Sequence, residues 1–446
     1  MILFCLYALL LISIGLFDAR KHSSIAAFFV NARQSGSVHT GISIVASCIG
    51  GSATVGMAGL AWQAGTPAFW WIGSGACGLL ILTLFLAKKV RETGAHTMPE
   101  LATVFLGSPA RHLISLLIVP AWLAILAAQL TVMGKLTANL TGLPPELSLV
   151  TGTALIVLYA LLGGQASVIR SDLPQYLLML SGLILTLGWL LLKNPLPVLH
   201  LSPELFNSRF PLSDLSHFMI ILGGSYVVCP MLFGRILSAQ NTQSAVAGCR
   251  LAIVGLVLTA IVIVLIGISC RGFVPPETAP DDVLPVTLSL LPEWTSTVLL
   301  LALLSAVLSS ADSCLITLST VICHDLLQRD NVSICRITTL MAGVGGYFLA
   351  TREHGVLDLL LMANDVYVCG VVTPLFCAML ICGRRHVRSG TGLAAILCGG
   401  MGGLASVFLE QPEIGYIGMV LSAFCILGGS VSYKDRQPVQ VAAPSK

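Results

Sequence analysis

Thirteen runs of apolar residues constrain what this chain can fold into more than any other feature. Most of them are long enough to cross a membrane as a helix, since about 20 residues at 1.5 Å per residue span the hydrocarbon layer. Of the 446 residues, 56% are hydrophobic and 10% are charged, values that no class of soluble globular protein has. The sequence therefore predicts an all-α polytopic membrane protein with about 13 transmembrane helices. The runs cover approximately residues 2–17, 38–65, 68–87, 112–138, 146–163, 173–193, 215–234, 248–270, 294–323, 334–351, 357–383, 390–408 and 414–432.

We call the first run the leading segment and the others segments one to twelve. The basic residues predict their orientation. With the N-terminus outside, 18 of the 23 Lys and Arg, Arg235 among them, fall on the cytoplasmic side, as the positive-inside rule requires. The leading segment has no basic residues before it and no cleavage site after it, so we expect it to be retained. The expected location is the plasma (inner) membrane, with the C-terminus in the cytoplasm.

Two of the segments carry interruptions at matching positions. Gly50-Gly51 weakens segment one, while Gly223-Gly224 and Cys229-Pro230 interrupt segment six. Broken helices in the first and sixth of ten consecutive segments indicate a five-plus-five inverted repeat with a binding site at the midplane. Close helix packing or an ordinary proline kink is the alternative. The expected parts are 1–37 (leading segment and loop), 38–193 (first repeat), 194–214 (external loop), 215–383 (second repeat) and 384–446 (two additional helices and a cytoplasmic tail).

Segment eight is unusually rich in hydroxyl groups. On a helical wheel at about 100° per residue, one arc is polar and the rest is aliphatic. Hydroxyls can serve contacts between membrane helices, but the pair Ser309-Ser310 with Asp312 nearby favours a wet cavity or a bound cation. The polar arc contains Ala306, Ser309, Ser310, Ser313, Thr317 and Thr320, flanked by Ser305, Asp312 and Ser319.

With these features the sequence resembles the sodium:solute symporter family, whose fold is an inverted repeat like that of the leucine transporter. The resemblance covers about residues 28–380, and its elements occur in the family's order and on the corresponding helices. Departures include Cys48, Arg170 and Pro174. The matching elements are Gly56-Met57 with Gly59; Thr97-Met98-Pro99-Glu100; Tyr159, Gly163-Gly164, Ser171-Asp172 and Gln175; Pro230 with Arg235-Ile236-Leu237 and Ala239; and Ser309-Ser310-Ala311-Asp312-Ser313 with His324-Asp325.

The resemblance implies a sodium site between segments one and eight. Its ligands would be the carbonyls of Ala46, Ile49 and Ala306 and the hydroxyls of Ser309 and Ser310. Five neutral oxygens suit Na⁺ better than a divalent cation, which favours carboxylates.

A second cation site, or a group of residues supporting the first, would comprise Asp172, Asp312 and Ser313. Two alternatives remain: Asp172 as a carboxylate at a helix N-terminus facing water, and Asp312 as a neutral, hydrogen-bonded carboxyl.

The resemblance also implies where the solute binds. The candidates lie on the two broken segments and on segment ten, and Asp365 could instead pair with Lys135. The candidate residues are Cys48, Ser52, Ala53, Ser225, Tyr226, Asn364 and Asp365.

These features together predict a secondary active transporter that couples Na⁺ entry to uptake of an amino acid, sugar or carboxylate by alternating access. Its expected partners are the solute, the sodium ion and the lipid bilayer, with no nucleic acid and no protein partner. Proton coupling through Asp172 or Asp312 is the alternative, and a sensor or a channel fits less well. An enzyme is not expected because GxSxG, HExxH and Walker motifs are absent from the sequence. The nine His and 14 Cys are expected to form no metal-ligand cluster.

Overall fold

The computed structural model describes residues 25–194, 203–352, 356–382 and 384–432, together with Ser13. The predicted leading segment, apart from Ser13, and the tail after residue 432 lie outside the described residues. All twelve later segments correspond to described helices. In chain order they are Ser37–Cys48 with Ser52–Ala64, Thr66–Thr93, Ala110–Thr141, Pro145–Leu161, Gly164–Lys193, Leu212–Ser238, Thr242–Cys270, Glu293–Leu326, Val332–Ala350, Leu360–Ile381, Ser389–Leu409 and Pro412–Gly428.

Segment one is broken where its paired glycines predict. Its halves meet at a bend of 65°, and Ile49 leaves the helical region with φ −102° and ψ 79°. A Cβ atom on Gly50 would lie 2.5 Å from Gln129 Oε1 and from Ser310 Oγ. Glycine is therefore required here because segments three and eight approach the backbone closely.

Segment six is broken at Val228 and Cys229, whose backbones are extended, and a helix resumes at Pro230. The predicted interruption at Gly223-Gly224 is wrong, because both residues lie in the helix Gly223–Val227. Proline suits the first position of a helix because its missing N–H would have no intrahelical partner there. The break frees the carbonyl of Val228, which accepts a 2.5 Å hydrogen bond from the Tyr367 hydroxyl of segment ten. A buried carbonyl without a partner would be costly, so this bond stabilises the break.

Segment eight lies at the centre of the molecule. Its most apolar 18-residue window is 94% buried, and it packs against segments one, three, four, five and nine. The aliphatic side predicted from the helical wheel therefore contacts other helices. Segment seven, with a mean hydropathy of 3.1 over its most apolar window, is only half buried, as expected for a helix that faces lipid.

Shorter elements connect the segments. The helix Ile25–Val30 precedes segment one, Met98–Leu106 lies between segments two and three, and Val283–Leu290 precedes segment eight. Segments four and five are two helices that meet at a break at Gly164, where φ is 61° and ψ is −164°. Strand β1, Arg385–Val387, pairs antiparallel with strand β2, Ser430–Ser432.

Candidate functional site

The hydroxyl face of segment eight meets the broken end of segment one. Ser310 Oγ donates to the Ser47 carbonyl at 2.9 Å and lies 3.5 Å from the Ala46 carbonyl. Ala306 lies one turn earlier on segment eight, and Ile49 lies at the break itself. All five residues of the predicted sodium set are buried, and their joint role as ligands stays a prediction.

Ser309 points from the same helix toward Asp172 on segment five. Its hydroxyl donates to Asp172 Oδ1 at 2.5 Å, and Ser43 of segment one donates to Asp172 Oδ2. The carboxylate is fully buried and lies inside Gly164–Lys193, two turns after the kink. The alternative that Asp172 is an N-terminal carboxylate facing water is therefore wrong.

Arg235 supplies a positive charge to the same place. Its guanidinium lies 3.8 Å from Asp172 Oδ2, donates to Ser43 Oγ at 3.2 Å and donates to Ser313 Oγ. Arg235 is 1% exposed, although the charge pattern placed it among the cytoplasmic basic residues. A buried charge must be paired and hydrogen-bonded, which explains this arrangement. We call Ser43, Asp172, Arg235, Ser309 and Ser313 the Asp172 cluster.

Asp312 lies beside this cluster. Ser313 Oγ donates to its Oδ1 at 3.3 Å, and its Oδ2 has no hydrogen-bond partner among the described residues. The side chain is fully buried. Asp312 therefore accepts fewer hydrogen bonds than Asp172, and its role in binding a cation stays a prediction.

A cavity between the two breaks contains most of the predicted solute residues. Six of the seven candidates line it: Cys48, Ser52, Ala53, Ser225, Tyr226 and Asn364. Asp365 is not among the lining residues; its carboxylate lies 3.7 Å from His217. The alternative pairing of Asp365 with Lys135 is wrong, because Lys135 contacts Asp282 at 2.6 Å.

Trp71, Trp122 and Gln129 are among the side chains of the cavity that sequence reasoning missed. Gln129 accepts from the Gly51 N–H at 2.6 Å and donates to Ser52 Oγ at 3.2 Å, so it stabilises the start of the second half of segment one. A polar amide within an apolar helix could have signalled this role. The sequence holds six Trp, and nothing in their local pattern distinguishes these two.

The side chains that line the cavity are aromatic, apolar or polar without charge. Trp71, Trp122 and Tyr226 contribute rings from segments two, three and six, and none of the described residues that line the cavity is charged. Trp122 packs edge-to-face on Tyr367 with ring centroids 4.9 Å apart, while the Tyr367 hydroxyl bonds to the break in segment six. Ser47 and Ser310 line the cavity as well, so it adjoins the predicted sodium ligands.

Comparison with solved structures gives the fold. A substrate-bound, outward-open Na⁺-coupled sialic acid symporter superposes with a TM-score of 0.79 at 15% identity, covering 96% of this chain and 97% of that one. A nucleobase-cation-symport-1 family transporter gives 0.64 at 15% identity, covering 90% and 93%. The predicted fold like that of the leucine transporter is thus confirmed.

Curated relatives are similar at the level of sequence. The high-affinity choline transporters of Torpedo marmorata and Homo sapiens are each 25% identical, covering 98% and 92% of this chain and 82% and 78% of theirs. The sodium/proline symporter of Escherichia coli is also 25% identical, covering 80% and 78%. The sodium:solute symporter family model matches residues 28–195 and 198–346. The chain therefore belongs to the sodium:solute symporter family.

Proposed function

We propose that this sodium-coupled transporter of a small polar solute carries an organic cation of the choline type. The observation that supports this is the aromatic, uncharged cavity between the breaks in segments one and six. The high-affinity choline transporters, which align with nearly the whole chain, make this substrate class reasonable. The sequence alone led us to expect an amino acid, sugar or carboxylate, so the proposal changes the expected class.

The rings provide a physical basis for binding a cation without a carboxylate. A quaternary ammonium cannot donate a hydrogen bond but is attracted to the faces of aromatic rings, by about 0.5–2 kcal/mol per contact. Trp71, Trp122 and Tyr226 surround the cavity on three segments. Asn364, Ser225 and Ser52 add hydrogen-bonding groups suited to a hydroxyl on the same solute.

We propose that the coupling ion binds at the carbonyls of Ala46, Ile49 and Ala306 and the hydroxyls of Ser309 and Ser310. Ser310 supports coupling because it contacts the end of segment one and also lines the cavity. An ion there would fix the broken end of segment one, which forms one wall of the cavity. By linkage, a solute that favours the same arrangement would strengthen sodium binding by the same factor.

Proline is the second candidate solute, because the Escherichia coli relative is a sodium/proline symporter. A zwitterion would bring a carboxylate into a cavity whose described lining offers no Lys or Arg. Burying that carboxylate without a cationic partner is costly unless the bound Na⁺ supplies the charge. The geometry favours the organic cation.

For location, we propose the plasma membrane with the N-terminus outside and the C-terminus in the cytoplasm, from the distribution of basic residues. Asp172 is a less favourable proton carrier than the sequence suggested, because Arg235 already neutralises it. Coupling to Na⁺ through neutral oxygens is therefore proposed in preference to coupling to protons.

Uptake into proteoliposomes tests the substrate. With an inward Na⁺ gradient, radiolabelled choline should accumulate in the vesicles and radiolabelled proline should not. Choline accumulation should stop when Na⁺ is replaced by K⁺. Tyr226→Ala should weaken choline binding about two- to thirtyfold, by loss of a ring contact, with a much smaller effect on Na⁺ binding. Accumulation of proline but not choline would exclude the organic cation. Equal loss of choline and Na⁺ binding in Tyr226→Ala would place that ring outside the solute site.

A further inference from the structure

Two histidines and a glutamate meet on the side of the protein that the charge pattern predicts to be cytoplasmic. His96 and Glu100 lie at the start of the short helix Met98–Leu106, and His324 lies near the end of segment eight. One ligand atom from each lies within 4.8 Å of the others. The expectation that the histidines form no ligand cluster is therefore wrong. Residues more than 220 positions apart in the chain had to be brought together by the fold.

The spacing of these atoms fits a metal ion. Glu100 Oε2 lies 3.5 Å from His96 Nδ1 and 3.3 Å from His324 Nε2. Ligand atoms held about 2.1 Å from a tetrahedral Zn²⁺ are about 3.4 Å apart. Two of the three ligand-to-ligand distances thus already suit the ion, and the third is no longer than 4.8 Å.

The surroundings orient one of the imidazoles. His324 Nδ1 contacts Asp330 Oδ1 at 2.6 Å, which leaves Nε2 directed at Glu100 and His96. Metal-binding histidines usually have such a carboxylate on the other ring nitrogen, where it fixes the ring and raises its basicity. The ring of Phe29 packs edge-on against both imidazoles, with centroids 6.4 and 5.4 Å away.

An ion can also reach the cluster. The side chains of His96 and Glu100 are 36% and 33% exposed, while His324 is 12% exposed. A recess lined by His96, Thr97 and Arg235, among others, continues from here toward the Asp172 cluster. Three protein ligands with an open approach leave the fourth position of a tetrahedron to water.

We propose that His96, Glu100 and His324 bind a divalent transition-metal ion of the Zn²⁺ type. The ion ties the connection between segments two and three to the end of segment eight. Because alternating access requires the segments to move relative to one another, this tie restrains the cycle. Metal binding therefore slows transport.

Titration of the purified full-length protein in nanodiscs with Co²⁺, followed by displacement with Zn²⁺, tests the site. The parent should bind one Co²⁺ per chain and show the visible absorption of a tetrahedral complex. His96→Gln and His324→Gln should each weaken binding at least tenfold. His112→Gln is the matched control, because His112 lies at the start of segment three and bonds to Gln328 outside the cluster, so it should bind as the parent does.

His96→Gln keeps the proposal testable if His324→Gln fails to fold, because His96 is the more exposed of the two. A parent that binds no Co²⁺, or a His96→Gln protein that binds it as tightly as the parent, would show that the cluster is only an ion-pair network and would overturn the proposal. Zn²⁺ should also slow uptake by the parent and not by His96→Gln. The binding measurement uses no solute, so its outcome is independent of which solute the protein carries.

Discussion

The carboxylate of Asp172 joins three other segments to segment five. It accepts hydrogen bonds from Ser43 of segment one and Ser309 of segment eight, and Arg235 of segment six lies 3.8 Å away. A buried ion pair adds little net stability over apolar residues, but removing one partner leaves an uncompensated charge. Asp172 and Arg235 are therefore important chiefly because each compensates the buried charge of the other.

Replacing Asp172 alone should be more harmful than replacing both members of the pair. Asp172→Asn keeps the shape but leaves the Arg235 guanidinium without a counter-charge, which should cost about 3–5 kcal/mol and lower the melting temperature clearly. Asp172→Asn combined with Arg235→Gln should recover much of that loss. Differential scanning fluorimetry of the purified proteins measures this. A single variant that melts like the parent would mean that the two side chains do not form an ion pair.

The adjacent hydroxyls of segment eight should control the sodium dependence. Ser309→Ala and Ser310→Ala each remove an oxygen and little volume, and Ala favours a helix. A ligand contribution of about 1.4 kcal/mol corresponds to a tenfold shift in affinity, so uptake should require several-fold to tenfold more Na⁺. Excess Na⁺ should restore part of the uptake in both variants.

Ser319→Ala is the control for these variants. Ser319 lies on the same helix, but its hydroxyl bonds to the Cys335 carbonyl of segment nine at 2.6 Å. It should shift the sodium dependence much less. If folded Ser309→Ala and Ser310→Ala proteins keep the sodium dependence of the parent, the coupling ion does not bind at these hydroxyls. Proton coupling at Asp172 or Asp312 would then be the better explanation.

The two broken segments create the site at the level of secondary structure. In segment one the break lets Gln129 and Ser310 approach the backbone at Gly50, and in segment six Tyr367 satisfies the carbonyl freed at Val228. Each break is thus bonded to a side chain of a continuous helix. Gln129 and Ser310 also line the cavity.

A methyl group at Gly50 should abolish transport. The Cβ of Gly50→Ala would lie 2.5 Å from Gln129 Oε1 and 2.6 Å from the Ser310 Cβ. Gln129 can rotate away, but the Ser310 Cβ is fixed to its helix, so segment one or segment eight must shift. Gly188→Ala is the matched control because nothing lies within 4 Å of its Cβ, and alanine there should stabilise the helix by up to about 1 kcal/mol. Na⁺-driven uptake by Gly50→Ala and by Gly188→Ala, each corrected for the amount of folded protein, distinguishes the two variants. Normal uptake by Gly50→Ala would mean that the two halves meet differently.

Sequence patterns predicted the elements well because apolar length and glycine or proline breaks are local signals. The helical segments and the two breaks follow from them, whereas residues such as Cys48 and Tyr226 around the cavity were predicted from the resemblance to the family. The pairing of Arg235 with Asp172 and the meeting of His96 with His324 do not, because they depend on how distant helices pack. Charge counting did not reveal that Arg235 is buried, since the sequence near a helix end looks the same whether a cation faces water or a buried carboxylate.

At the scale of the whole molecule, the two small strands bring together the beginning of segment eleven and the end of segment twelve. Arg385 pairs with Ser432 and Val387 with Ser430 in an antiparallel ladder. Backbone hydrogen bonds between residues 385–387 and 430–432 require both to lie on the same side of the membrane. Segments eleven and twelve must then cross as a hairpin, with the turn around Glu410 on the opposite side.

This pairing sharpens the topology prediction. Reporter fusions placed after Arg385 and after Lys434 should both report the cytoplasm, since 18 of the 23 basic residues fall inside in that orientation. A fusion at Glu410 should report the opposite side and serves as the control. If both fusions report the cytoplasm, a cysteine near the N-terminus that reacts with an external reagent would support thirteen crossings. An odd number of crossings places the two ends of the chain on opposite sides of the membrane. An N-terminus labelled from the cytoplasm would mean that the leading segment does not cross the membrane. Reporters on opposite sides after Arg385 and after Lys434 would contradict the pairing of β1 with β2.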